Sequence, residues 1–424
     1  MKASELKIKI SEGALSHYAH IYSDLERQRD RYLSAIDGFI SLFGDLEAEL
    51  LSVPGRSEIS GNHTDHNRGC VLAGAIDRDV IAVAAKIDEP VARFFSEGYP
   101  MSEVTLEASR DSANFERYTS SSLIAGMING FEKHGYKVGG MCVYATSEVL
   151  KGSGISSSAA YEVMIGNALN HLYNGGEIPN EQIAKLAQYA ENMYFGKPCG
   201  LMDQMACAVG GFVYIDFEDK DDPEVVPIDF SLGNEGYALC IVNTGGNHSD
   251  LNEDYASVPR EMKDVARELG LDVLRGVSES ELIAKIGELR HTVGDRAVLR
   301  ALHFIRENER VKRAREALTD GRLCDFFAAV NESGSSSFKY LQNVYTTQNV
   351  AEQGLSLALA LADGYLGGEG ASRVHGGGFA GTVQVFVKKE RLAGLTELMD
   401  SVFGAGAACA FNVRPLGAIR LDLN

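Results

Sequence analysis

Four short segments gather most of the side chains in this sequence that could do chemistry. In KGSGISSSAAYEVMIGNAL, Lys151 to Leu169, Gly152 and Gly154 flank Ser153, and Ser156, Ser157 and Ser158 open a helix with an apolar face. Glycine lets the backbone approach a ligand closely and adopt positive φ. A helix N-terminus offers unpaired N–H groups and about half a positive charge. The segment therefore suits an anion, and its hydroxyls can cap the helix, bond phosphate or ligate Mg²⁺. The same residues also suit a serine-capped helix after a tight turn. No Gly-x-x-x-x-Gly-Lys-Ser/Thr run occurs, which excludes a P-loop.

The second segment, PGRSEISGNHTDHNRG, crowds Arg56, Asn62, His63, Asp65, His66 and Asn67 between apolar strands. Such density is costly to bury unless the groups bond one another or a polar ligand. A polyol wants this mixture of donors and acceptors. His63-x-Asp65-His66 also matches part of a metallohydrolase His-x-His-x-Asp-His run, but position 61 is glycine. In ENMYFGKPCGLMDQMACAVGG, Asp203 is the only charged residue between Lys197 and Asp216 and sits in an apolar helical pattern. It either faces solvent or is buried beside an arginine that holds it ionised for base chemistry or for positioning a hydroxyl. The fourth segment, RVHGGGFAGTVQVFV, is a triple-glycine turn feeding a strand.

The elements that must position these groups fit a chain of 424 residues, 45% hydrophobic and 23% charged, long enough for two or three domains with a large core. Residues 1 to about 50 read as helical, with Tyr32, Leu33, Ile36, Phe39, Ile40 and Phe43 at helical spacing and Gly44 as a stop. Strands are expected across 51–86, at Met141–Ala145, Tyr237–Asn243 and Thr382–Val387. Helices are expected over Ser120–Lys133, Ala159–Leu172, about 180–195, within 259–330, and at 349–362. The polar, proline-bearing stretch 218–236 suggests domains 1–225 and 226–424. Interleaved strands and helices argue for α+β or α/β layers, and the absence of a 20–50-residue period excludes repeat folds.

Lys and Arg total 40 against 59 Asp and Glu, a formal net charge of −19, which disfavours a nucleic-acid or membrane-surface partner. Seven scattered cysteines without a C-x-x-C pair read as reduced thiols. With no apolar leader in MKASELKIKISEGAL and no membrane-length apolar run, the expected location is the cytoplasm.

Taken in order, the four segments resemble the galactokinase branch of the GHMP (galactokinase, homoserine, mevalonate, phosphomevalonate) kinases over about residues 40 to 420. PGRSEISGNHTDHNRG is similar to the family's sugar-binding signature and GSGISSSAA to its phosphate loop. PCGLMDQ is similar to the segment bearing its catalytic Asp, and HGGGFAG to its C-terminal glycine motif. The resemblance implies an α+β two-domain fold, an N-terminal α/β domain and a C-terminal α+β domain with the active site in the cleft between them. It implies an ATP-dependent sugar 1-kinase acting on the anomeric hydroxyl of galactose or a close relative. The partners would be a small sugar and ATP, with neither nucleic acid nor membrane, in a monomer or weak homo-oligomer.

Residue by residue, the resemblance makes Asp203 the group that takes or orients the sugar proton and Arg56 the cation that keeps it ionised. Gly152, Ser153, Gly154, Ser156, Ser157 and Ser158 would wrap the ATP phosphates, and Ser158 and Glu191 would hold Mg²⁺. Asn62, His63, Asp65, the Gly200 backbone and Tyr255 would bind the sugar. The family pattern runs Gly-Arg-Val-Asn-Leu-Ile-Gly-Glu-His-Thr-Asp-Tyr-Asn. Here Asn62 replaces its Glu and His66 its Tyr, and Leu150 replaces a Pro ahead of the phosphate loop. Plant galacturonate kinases look similar at Asn62 and His66, and a neutral Asn62 would not repel a C6 carboxylate. Galacturonate or another galactose derivative is therefore a second expectation for the substrate. A non-catalytic sugar sensor is a third, although Arg56, Ser158, Glu191 and Asp203 are all retained.

Overall fold

Long apolar runs in the first fifth of the chain become strands buried on both faces. In a computed structural model that describes residues 1–22, 24–149, 154–197, 199–246 and 251–423, helices α1 (Ala3–Ser11) and α2 (Leu25–Phe43) precede β1 (Ala48–Ser60) and β2 (Cys70–Lys86). Both strands are buried almost throughout, which is why they show continuous rather than alternating hydrophobicity. The one helical stretch expected before residue 50 is two helices, broken where Gly13 takes a φ of 94°. The expected stop at Gly44 is present as the α2 C-cap, with φ 85°.

Next come β3 (Val91–Ser96), β4 (Ser102–Thr105), α3 (Ser120–Lys133), β5 (Met141–Ser147), α4 (Ser157–Tyr173), α5 (Asn180–Ala190) and α6 (Met202–Val209). A single π-helical turn, Glu191–Phe195, follows α5 directly. The chain continues through β6 (Phe212–Asp216), β7 (Glu224–Ile228), β8 (Tyr237–Asn243), α7 (Asn252–Glu268), α8 (Glu279–Thr292), α9 (Asp295–Thr319) and α10 (Leu323–Ser336). It ends with α11 (Gly354–Leu366), β9 (Ala371–His375), β10 (Thr382–Lys388), α12 (Leu392–Phe403), β11 (Ala408–Phe411) and β12 (Ile419–Arg420).

The chain divides into two compact units. The first comprises Met1–Arg56, Ala75–Gly211 and Arg414–Asn424, and the second Ser57–Gly74 and Phe212–Val413. The cut expected near residue 225 falls inside the second unit, which also takes an early stretch of chain. In the first unit the strand order is β12-β1-β2-β5-β3-β4, with β3 and β5 parallel (Phe94 opposite Val143). Leu6, Ile10, Tyr32, Ile36 and Phe39 of α1 and α2 cluster with Ile81, Val83 and Ala85 of β2.

In the second unit β11-β8-β10-β9 form an antiparallel sheet, with Val383 opposite both Val242 and Val374. Residues of α11 and α12, including Leu355, Ala358, Leu395 and Met399, cluster with Val383 and Val385 of its β10. A second core joins α7, α8 and α9 through Val258, Met262, Leu282, Ala301 and Phe304. The first residues of β2 pair with β6, Gly74 opposite Phe212, and β6 with β7. Among the described residues no helix is long and apolar enough to cross a membrane.

A buried ion cluster ties the first unit together. Asp79, 1% exposed, accepts from Arg31 Nη1 at 2.5 Å, Arg414 Nη1 at 3.1 Å, Tyr22 Oη at 2.8 Å and Ser52 Oγ. Burial alone would raise the Asp79 carboxyl, but Arg31 and Arg414 outweigh it and hold it below its ordinary value. Removing one member of such a cluster leaves its partners buried and uncompensated. We expect Asp79→Ala to lower stability by about 3–5 kcal/mol, read from urea unfolding of the full chain.

Candidate active site

The candidate residues fall in both units. In the first, β1 delivers Arg56 and the first turn of α6 delivers Asp203. Arg56 Nε donates to Asp203 Oδ1 at 2.7 Å and Nη2 to Oδ2 at 2.8 Å, a two-pronged pair, while Nη1 donates to the Gly154 carbonyl at 2.8 Å. Ser156 Oγ donates to Asp203 Oδ2 at 2.5 Å. Ser156 caps α4 in the left-handed region, φ 63° and ψ 59°, a conformation that costs a serine of order 1 kcal/mol. That strain aims its hydroxyl at the carboxylate. Burial would raise the Asp203 carboxyl, but Arg56 and Ser156 outweigh it and hold it below the usual carboxylate range. The side chain stays 32% exposed, so a ligand can reach it.

Beside this pair lies a second acidic group. Glu191, 2% exposed on the π-helical turn, accepts from Ser158 Oγ at 3.4 Å, Lys197 Nζ at 3.2 Å and Gln204 Nε2 at 2.7 Å. Gln204 Nε2 also reaches Oε2 of Glu162 at 3.1 Å. Glu162 is fully buried; burial, then the Glu191 charge, pushes its carboxyl well up. A hydroxyl and a carboxylate close together are the hard oxygen donors Mg²⁺ takes when phosphates complete its shell. Ser158 and Glu191 therefore fit a phosphate-bound Mg²⁺. Ser157 opens α4, and Gly200 lies in the half-buried stretch before α6. Leu150, Lys151, Gly152 and Ser153 lie outside the described residues.

In the second unit, the triple-glycine turn after β9 is held by side chains from three distant parts of the chain. Asn62 Nδ2 donates to the Gly376 carbonyl at 2.7 Å. His63 Nε2 and Asn343 Nδ2 reach Gly377 O at 2.9 and 3.0 Å, and Tyr255 Oη donates to Gly378 O at 2.7 Å. Gly378 has φ 83°, and a Cβ there would stand 2.1 Å from the Asn343 carbonyl, so glycine is required. Burial pushes His63 down to about 4, leaving a neutral imidazole that donates its proton to the turn. Burial likewise raises Tyr255 to about 12. Asp65 accepts from the His66 backbone N–H at 2.9 Å and keeps a side chain 19% exposed, while His66 is exposed.

Asn62, expected to face a sugar, is instead sealed. It is 1% exposed, its amide also donates to Glu58 Oε1 at 2.9 Å, and its oxygen accepts from Asn343 Nδ2 at 2.6 Å. Glu58 stands four positions before Asn62, so the buried carboxylate of this segment faces the Asn62 amide. Glu58 in turn meets Arg373 Nη2 at 3.1 Å. Among the described residues no group of three His, Cys, Asp or Glu could hold a metal, and His63 Nε2 is committed to Gly377, which leaves the metallohydrolase reading without support.

Several of these roles were missed in the sequence. Gln204 and Glu162 look like ordinary helix positions, and only their polarity on an apolar face hints at function. Asn343 and His303, whose Nε2 lies 2.9 Å from the Asn62 carbonyl, stand far from every motif.

The fold and the carboxylate–hydroxyl–arginine arrangement define a class, the GHMP kinases. The description "GHMP kinases N terminal domain" matches residues 122–211, and "Galactokinase galactose-binding signature" matches residues 37–86. A galactokinase of Streptomyces coelicolor is 32% identical over 372 residues, 87% of this chain and 92% of that one. A galactokinase of Clostridium tetani is 30% identical over 360 residues, 84% and 88% of the two chains. The crystal structure of Lactococcus lactis galactokinase complexed with galactose superposes with a TM-score of 0.78 at 24% identity, covering 92% of this chain and all of that one. A mevalonate kinase shares the fold with a TM-score of 0.58 at 15% identity, over 87% and 99% of the chains. The chain belongs to the galactokinase family.

The Glu58–Asn62 contact yields a test. Asn62→Glu alone sets two carboxylates against each other in a buried site and should cost about 2–4 kcal/mol in urea unfolding. The double exchange Glu58→Asn with Asn62→Glu should recover at least half of that loss in a double-mutant cycle.

Proposed function

We propose that this chain is an ATP-dependent sugar 1-kinase, transferring the terminal phosphoryl group of ATP to the anomeric hydroxyl of galactose or a close galactose relative in the cytoplasm. The observation that carries this reading is the two-pronged Arg56–Asp203 pair with Ser156 on the same carboxylate. The galactokinase names of the relatives support the sugar.

Phosphoryl transfer needs positioning and charge neutralisation more than covalent chemistry. Held below the usual range, Asp203 is ionised and a weak base. Its work is to accept a hydrogen bond from the sugar hydroxyl and aim it, taking the proton as the new bond to phosphorus forms. Arg56 fixes the carboxylate plane and offsets the developing charge. The N-terminus of α4, with Ser157 and Ser158, presents N–H and hydroxyl donors to the phosphates. Ser158 and Glu191 would hold Mg²⁺, which supplies charge neutralisation to the phosphates when bound. Asp65 and the Gly200 backbone would contact the sugar, while His63 and Tyr255 act by fixing the glycine turn. Asn62 is engaged within the protein and so does not bear on the C6 group, and the names of the relatives put galactose first.

The test is an ADP-release assay with Mg-ATP and galactose, galacturonate, N-acetylgalactosamine, arabinose and glucose. We expect turnover on galactose, at least ~10³-fold lower kcat in Asp203→Ala, and no turnover once Mg²⁺ is chelated. Silence on every sugar from a folded, sugar-binding protein would favour the sensor instead. The sign of the pH dependence follows from Asp203. Its ionised form is the active one and its carboxyl is lowered, so the acid limb of kcat/KM lies below the ordinary Asp value. Arg56→Gln removes the lowering partner, and that limb should move to higher pH.

A further inference from the structure

Gln204 is a buried polar side chain to which the kinase reading gives no task. It sits in the first turn of α6, directly after Asp203, and is 0% exposed. Neighbouring residues of a helix point about 100° apart. Asp203 turns to Arg56 and Ser156, and Gln204 turns to two acidic side chains. Its Nε2 donates to Glu191 Oε2 at 2.7 Å and to Glu162 Oε2 at 3.1 Å, with Cys199 Sγ a weaker third neighbour at 3.6 Å. Only the nitrogen end of the amide can stand there, because the oxygen end would set its lone pairs against carboxyl oxygens. Gln204 Oε1 is buried and meets no hydrogen-bond partner among the described residues. An unmet buried oxygen costs stability, so what the amide contributes lies at its nitrogen.

This contact divides the two oxygens of Glu191. Oε2 is taken by Gln204, while Oε1 faces Ser158 Oγ at 3.4 Å and Lys197 Nζ at 3.2 Å. The terminal torsion of a glutamate is broad and roughly two-fold, so a carboxylate left to itself samples many planes. Gripped at Oε2 by a buried amide, this one cannot turn without breaking its shortest hydrogen bond. We propose that Gln204 is a positioning residue for the metal and nucleotide site, fixing the plane of the Glu191 carboxylate so that Oε1 is the oxygen presented, beside Ser158, to Mg²⁺. This deepens the kinase reading and rests on it for the metal. Partners of a metal-binding carboxylate set its direction, and removing one typically costs about 10- to 100-fold in metal affinity. The same contact ties the π-helical turn to the helix that bears Asp203, so one short element aims both carboxylates.

The experiment measures ADP binding to the full chain by calorimetry over a range of Mg²⁺ concentrations, in wild type, Gln204→Met and Gln204→Asn. Met fills similar space without a donor. Asn keeps the amide on a shorter arm, and it decides the matter if Met impairs folding, which urea unfolding reads. We expect Mg²⁺ to strengthen ADP binding in wild type, and the Mg²⁺ concentration giving half of that effect to rise about 10-fold or more in the variants. Metal-free ADP binding and galactose binding should hold. In the kinetic arm the Mg²⁺ requirement at saturating ATP should rise in parallel, with the galactose KM unmoved. An unchanged Mg²⁺ requirement in a folded variant would overturn the positioning role. Equal losses in metal-free ADP, Mg-ADP and galactose binding would also overturn it, leaving Gln204 a packing residue. Wild-type ADP binding that ignores Mg²⁺ would overturn it together with the metal role of Ser158 and Glu191. A wild type that shows the Mg²⁺ effect, loses it in the variants and yet phosphorylates no sugar would support Gln204 and sink only the sugar-kinase reading.

Discussion

The first unit is arranged around one charged contact, the Arg56–Asp203 pair, made between residues 147 apart in sequence. A lone carboxylate among Met, Ala and Cys side chains would rise in pKa and neutralise. The guanidinium reverses that, and its third nitrogen reaches Gly154, so one side chain aligns β1, α6 and the approach to α4. Arg56 is buried and Asp203 half-buried, and the contact is made in two parallel hydrogen bonds, which fix direction as well as charge. Ser156 accepts backbone strain to join them, the kind of local cost that is kept where a site must be organised in advance.

The second unit solves a different problem. A run of three glycines has little intrinsic preference for one conformation, yet here each of the three carbonyls receives a side-chain donor. Asn62, His63, Tyr255 and Asn343 come from separate segments, so the turn is defined by long-range contacts rather than by its own residues. Behind it, Glu58, Arg373, Glu307 and Arg310, with the neutral imidazole of His303, form a buried polar layer whose members are useful only together.

Much of the molecule was legible before any coordinates. Ser120–Lys133 and Tyr237–Asn243 begin and end where the apolar periodicity begins and ends. The isolation of the Asp203 charge left two readings, a solvent-facing carboxylate or one held by an arginine; the family resemblance named Arg56, and the pair is present. The limits were just as physical. Gly13 breaks the first helix because a left-handed residue interrupts an otherwise continuous pattern. The path of the chain through two compact units is invisible because the early strands serve both. Asn62 looked like a ligand contact because polar density marks a need for partners without saying whether they come from ligand or protein. Here Glu58, Asn343 and a glycine carbonyl take them all.

The π-helical turn at Glu191–Phe195 has a consequence for how this chain can change over time. Such a turn carries one residue more than a regular helix, and each residue advances a helix by about 100°. The azimuth of Glu191 relative to Lys197 is therefore set by a residue count rather than by any one side chain. A single-codon deletion within the turn would leave helix propensity and hydrophobic content nearly intact while rotating the neighbouring side chains out of phase. A change of length within the turn therefore acts on all of its side chains at once, where a substitution acts on one.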